Sequence, residues 1–140
     1  MDSIVNQQTK YKFLVVVIND GSPDSSREKL RRYEELDNVV IIDQENKGFS
    51  GARNTGLKHI KAKYVTFVDS DDRMMPGAIE AMMKEAMDQD ADIVEGSYKT
   101  FYNGEEHEGS RHEYAVTDQW IGRLFGYPWG KVIRSTKFEA

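Results

Sequence analysis

The chain of 140 residues contains no cysteine, which excludes disulfides and thiolate metal sites and suits a reducing compartment. No apolar run approaches the ~20 residues that crossing a bilayer requires. Long Lys/Arg blocks are also missing, and the formal net charge is -5, so a nucleic-acid backbone is not an expected partner. Any basic membrane-binding patch would have to be local. The opening residues, Met1 to Gln8, lack the charged and apolar regions of a signal peptide. His59, His107 and His112 show no metal-ligand spacing. These absences describe a soluble, cytoplasmic chain, a single domain over residues 1–140, long enough to bury a core.

Apolar runs alternate with helical patterns. Phe13 to Ile18 is continuously apolar and stops at Asn19-Asp20-Gly21-Ser22-Pro23, which predicts a strand buried on both faces and then a turn. Ser22 or Asp24 is placed to cap a helix over Ser25 to Leu36, with Leu30, Tyr33 and Leu36 on its apolar face. Val39 to Ile42 reads as a second buried strand, ending at Asp43. Gly48 to Gly56 leads into a helix reaching His59 or Ile60, and Tyr64 to Val68 is a third strand. Pro76 lies where a further helix begins, and methionines 74, 75, 82, 83 and 87 are read as core filling. Ile93 to Tyr102 reads as a strand, Asn103-Gly104 as a hairpin turn, Arg111 to Val116 as its return, and Thr117 to Phe125 as a short helix. Such alternation implies an α/β fold, with parallel strands joined by crossover helices. The carboxyl ends of such strands share one edge, where ligands bind, so Asp20, Asp43 and Asp69 are expected to converge there.

The densest chemical signal follows the third strand, where Asp69, Asp71 and Asp72 place three carboxylates within four residues. Charges that close repel, and a divalent cation such as Mg2+ or Mn2+ carrying a phosphorylated ligand relieves the repulsion. The bland alternative is that Asp71 or Asp72 caps the next helix while the others are solvated. Asp20 could accept a hydrogen bond from a pyrimidine N3–H, with Gly21 permitting close approach, or could simply form an Asp-Gly turn. Gly48 to Gly56 matches neither dinucleotide nor P-loop spacing, so its small residues are expected to let a helix pack closely on the sheet. Arg53 and Asn54 could still reach a base or a diphosphate. Trp129-Gly130-Lys131 offers a sugar platform or a buried bend. Glu105, Glu106, Glu108 and Glu113 read as a solvated loop face.

Val17 to Asp24, Asn46 to Gly56 and Tyr64 to Asp72, with Trp129 to Arg134 as a looser fourth piece, together resemble the family-2 glycosyltransferases. The resemblance covers nearly the whole chain. It implies the GT-A (Rossmann-like) fold, a mostly parallel sheet flanked by helices. It also implies a nucleotide-sugar donor, most often a UDP-sugar, an inverting transfer, and Mg2+ or Mn2+ as cofactor. By position Asp20 would contact the base, with Arg53 and Asn54 flanking the nucleotide pocket. Asp69, Asp71 and Asp72 would hold the ribose and the metal. The acceptor would be a saccharide, free or lipid-linked, with peripheral membrane association of the parent enzyme.

Against that family pattern the first strand is expected to be missing, Asp2 to Gln7 reading as the end of the helix that follows it. The usual catalytic base would lie beyond Ala140, so the chain reads as a partial, donor-binding core with little transfer activity of its own. Two apolar strand edges would then be left open, inviting a homo-oligomer through them. The competing class is a non-enzymatic regulatory module that binds phosphate and Mg2+, but the order of its aspartates and lysine does not fit a receiver domain. Arg73 argues against an Asp-x-Asp-x-Thr/Val phosphatase.

Overall fold

The computed structural model describes residues 1–102, 105–108 and 130–138. After a short first helix, α1 (Asp2–Val5), two strands of equal length, β1 (Val15–Asp20) and β2 (Val39–Gln44), pair in parallel with Val15 opposite Val39 and Asp20 opposite Gln44. Between them the chain runs through α2 (Ser26–Leu30) and a 3-10 turn (Arg31–Tyr33). Asp24 fixes the start of α2, its carboxylate accepting the Ser26 N–H at 2.9 Å. The helix is shorter than its apolar spacing suggests. Tyr33 is buried, and its hydroxyl donates to Asp2 Oδ1 at 2.6 Å, whereas Leu36 lies past the helix and exposed.

From β2 the chain enters α3 (Gly48–Leu57), which lies on β1. A Cβ added at Gly56 would stand 3.8 Å from Ile18 Cγ1, so the small residue sets the helix directly over the strand. Tight i to i−3 hydrogen bonds carry the chain on to Ile60. There follow β3 (Tyr64–Val65), α4 (Ala78–Asp88), β4 (Ile93–Glu95), a hairpin of β5 (Lys99–Tyr102) and β6 (Glu105–Glu108), and β7 (Lys131–Arg134) before a last 3-10 turn (Ser135–Phe138). β7 runs antiparallel between β3 and β4, so those two share one direction.

The core lies where α4 covers this second sheet. Tyr64, Met82, Ala86 and Val132 are buried together, with Ala78, Met83 and Val94 packed around them. The Tyr64 hydroxyl donates to the Ala91 carbonyl at 2.8 Å, which satisfies its one polar atom in the core. Arg134 fastens the sheet's rim by donating to Asp92 and Asp90, both at 2.8 Å. The N-terminal segment ties the layers together: Gln7, itself buried, donates to the Met75 carbonyl at 2.9 Å, and the Thr9 hydroxyl to Glu80 at 2.7 Å.

Several expectations change. The sheet is in two pieces, β1–β2 and β3–β7–β4, and among the described residues no strand pairs with the second edge of β1 or of β3. β1 is therefore half-buried throughout, and Val40 of β2 is exposed, because a strand with one neighbour and one covering helix cannot be enclosed on both faces. The α4 helix starts after Gly77, which caps it at φ 74°, so Pro76 precedes the helix and is not in its first turn. Met82 and Met83 pack in the core, whereas Met75 and Met87 are exposed. The expected strand from Ile93 to Tyr102 is broken into β4 and β5, and the return of the hairpin is the acidic Glu105–Glu108, not the segment from Arg111. A Lys99–Glu106 ion pair across the two strands offsets the crowding of its carboxylates. Arg111 to Val116, Thr117 to Phe125, Glu113, and Trp129 of the suggested sugar platform lie outside the described residues.

Candidate functional site

The register of β1 and β2 decides which acidic groups meet. Neighbouring residues in a strand face opposite sides, so the Asn19–Asp43 pair and the Asp20–Gln44 pair address different layers. Asp43 accepts from Asn19 Nδ2 and from Arg27 Nε of α2, both at 2.7 Å, and these contacts hold its carboxyl below the ordinary range. It therefore does not join Asp20 in one cluster, contrary to the expected convergence of three strand-end aspartates.

Asp20 faces α3 instead. Its Oδ1 accepts from Gln44 Nε2 at 2.5 Å and from the Lys47 N–H at 2.9 Å, while Gln44 Oε1 accepts the Thr55 hydroxyl at 2.6 Å. The Gln44 bond first, then the backbone N–H groups of Lys47 and Gly48, hold the Asp20 carboxyl below the ordinary range. Gly21 is indispensable to this corner. Its φ is 68°, and a Cβ there would come within 2.9 Å of the Asn46 backbone nitrogen. The close approach seen in the structure is thus between two loops.

Farther along α3, Arg53 Nη2 donates to Asp69 Oδ1 at 2.8 Å, with both side chains about two-thirds buried (32% and 36% exposed). This bond joins two motifs and brings the acidic stretch beneath the helix. Asn54, on the same helix, is exposed. The acidic stretch closes on itself through a turn in which the Asp72 N–H donates to the Asp69 carbonyl at 3.1 Å. Loss of solvent, then repulsion from Asp71 and Asp69, holds the Asp72 carboxyl above its ordinary value.

Among the described residues no three carboxylates or imidazoles stand close enough to enclose an ion by themselves. Asp69 is engaged by Arg53, and the remaining pair is Asp71 and Asp72. Small hard cations are commonly held by one or two carboxylates, with phosphate oxygens and water completing the shell. Burial first, then repulsion from Asp71 and Asp69, raises Asp72, and the hard carboxylate oxygens of this pair suit an ion such as Mg2+ or Mn2+.

Gln44 and Lys47 were not legible as partners of Asp20, nor Thr55 as the partner of Gln44, since only the register and the seat of α3 bring them there. Lys131 is buried, and its ammonium stands 3.7 Å from Glu95 Oε1 across the β4–β7 pair. Its place in the structure is thus within the sheet, against a carboxylate.

Known proteins are similar to this chain. The chain is 39% identical over 126 residues to Glycosyltransferase GlyA of Streptococcus pneumoniae serotype 4, covering 89% of this chain and 18% of the relative. Glycosyltransferase GlyG of the same organism is 37% identical over 115 residues, 81% of this chain and 37% of the relative. The Poly(ribitol-phosphate) beta-glucosyltransferase of Bacillus spizizenii is 36% identical over 103 residues, 71% of this chain and 16% of the relative. The chain thus spans well under half the length of each of these relatives. The family model described as Glycosyl transferase family 2 matches residues 1–137. The chain belongs to that family, and its α/β layers form a domain of the GT-A type.

Proposed function

We propose that this chain supplies the donor-binding part of a glycosyltransferase that takes its sugar from a nucleotide sugar, a UDP-sugar, and transfers it with inversion to a saccharide acceptor, free or lipid-linked. The observation that carries the reading is the Arg53–Asp69 bond, which sets the acidic turn beside the helix whose start is fastened to Asp20. Asp20 receives the N3–H of the base, Arg53 and Asn54 border the nucleotide, and Asp69, Asp71 and Asp72 form the anionic end. A Mg2+ or Mn2+ ion bound there would offset the negative charge that builds on the departing diphosphate. Asp71 and Asp72 hold that ion, with Asp69 kept in place by Arg53. The name of the related Poly(ribitol-phosphate) beta-glucosyltransferase supports a polymeric acceptor. Under the proposed reading the parent enzyme associates peripherally with a membrane and acts at its cytoplasmic side. No helix among the described residues is long and apolar enough to cross a membrane.

Calorimetric titration with UDP tests the reading. Binding should require Mn2+ or Mg2+ and be lost in Asp71→Asn. Equal affinity with and without the ion would refute the metal's part, and no UDP binding at all would refute the donor site. The open edges of β1 and β3 favour, in addition, self-association of the chain through strand pairing.

A further inference from the structure

We infer that Phe49 is the aromatic platform on which the donor's nucleobase stacks, and so a specificity-determining residue of the nucleotide site proposed above, on which this inference rests. Phe49 is 85% exposed, the most exposed of the large hydrophobic residues described. It stands in the first turn of α3, two residues after Lys47, whose backbone N–H bonds Asp20. One helical turn on, at the i+4 position, comes Arg53, so the two residues are neighbours on one side of the helix. Arg53 reaches Asp69 and the acidic turn.

The contacts of α3 with the sheet lie farther along the helix, Thr55 through Gln44 and Gly56 over Ile18, whereas Phe49 stands exposed in the first turn. Packing against the protein's own core therefore does not account for Phe49. Along the chain it falls between Lys47, whose N–H bonds the carboxylate assigned to a base N–H, and Arg53, whose guanidinium is assigned to the border of the nucleotide. A flat, weakly hydrated ring in that interval suits a nucleobase, which offers a π-face and gains from leaving water. Asp20 would then read the edge of the base while Phe49 covers its face, a division of labour that explains why an apolar ring is left in solvent at this place.

The test compares wild type, Phe49→Ala and Phe49→Tyr by calorimetry with UDP and, separately, with inorganic pyrophosphate, all with Mn2+. The expected result is an UDP affinity about tenfold weaker or more in Phe49→Ala, the loss of one base–aromatic stack, with Phe49→Tyr close to wild type. Pyrophosphate, which has no base, should bind all three alike. If wild type binds UDP and Phe49→Ala binds it equally well, the role of Phe49 is overturned and the donor site stands. Equal weakening toward UDP and pyrophosphate also overturns it, because the effect would then lie outside the base. A wild type that binds no UDP overturns the donor site and this inference together.

Discussion

Asp20 and Gln44 stand directly opposite one another at the ends of two parallel strands, and the Gln44 amide donates to the Asp20 carboxylate at 2.5 Å. The bond favours the ionised form, so folding depresses the Asp20 pKa. A carboxyl depressed in this way contributes stability above its unfolded pKa and loses it as pH falls through the folded value. Gln44→Met should therefore move the Asp20 titration midpoint upward toward the ordinary range, seen by carboxyl-carbon NMR. The variant should also lose less stability than wild type between neutral and acidic pH. An unmoved midpoint would show that the Lys47 and Gly48 N–H groups suffice.

Arg53→Ala separates binding from folding. Both partners of the Arg53–Asp69 pair are about one-third exposed, and pairs of that kind contribute no more than about 1 kcal/mol. Urea denaturation should thus report a change within about 1 kcal/mol, while UDP affinity falls by about tenfold or more, as expected for loss of a charged contact. A stability loss large enough to account for the binding loss would make the arginine structural.

Asp72→Asn removes one of three crowded charges. Without added cation its melting temperature should equal or exceed that of wild type, since the cost of holding a charge away from solvent, and then the repulsion from Asp71 and Asp69, are relieved. Its affinity for Mn2+, measured by calorimetry, should fall. Lower stability combined with unchanged Mn2+ binding would exclude Asp72 from the cation site.

Glu95 and Lys131 form an ion pair inside the second sheet, with Lys131 only 4% exposed. Glu95→Leu leaves the ammonium without this carboxylate and should cost about 3 kcal/mol in denaturation experiments. The double variant with Lys131→Met should recover most of that loss, because two apolar side chains replace two charges. A double variant no better than Glu95→Leu would place the importance of Lys131 elsewhere.

The open edges of β1 and β3 lead to a prediction about assembly. Size-exclusion chromatography coupled to light scattering should show an apparent mass that rises with concentration. A monomer that keeps its mass at high concentration would rule out pairing through these edges.

The β1–α2–β2–α3 half of the fold was legible because apolar runs end sharply at Asp-Gly and Gly-rich punctuation, which fixes both the strands and their order. The Asp20 environment was half legible: the carboxylate declares itself at the strand end, but Gln44 is an unremarkable polar residue until the register sets it opposite. Burial was read too deeply for β1, because continuous apolarity reports a strand's preferred surroundings and not whether two neighbours are present. The hairpin return was misplaced for a related reason. Glu105–Glu108 has none of the β-branched alternation of a strand, and backbone pairing to β5 makes it one.

Gly21 reverses the usual geography of constraint. In most small domains the interior tolerates change poorly and the exposed bends accept it, yet here a solvent-facing bend has the narrower choice. Any side chain at that point must displace Asn46, which accepts the Gly48 N–H, and with it the neighbouring Lys47 N–H that holds Asp20. A methyl group in an exposed turn would thereby be felt first at the start of the helix, where it meets Asp20, and then midway along it, where Arg53 meets Asp69.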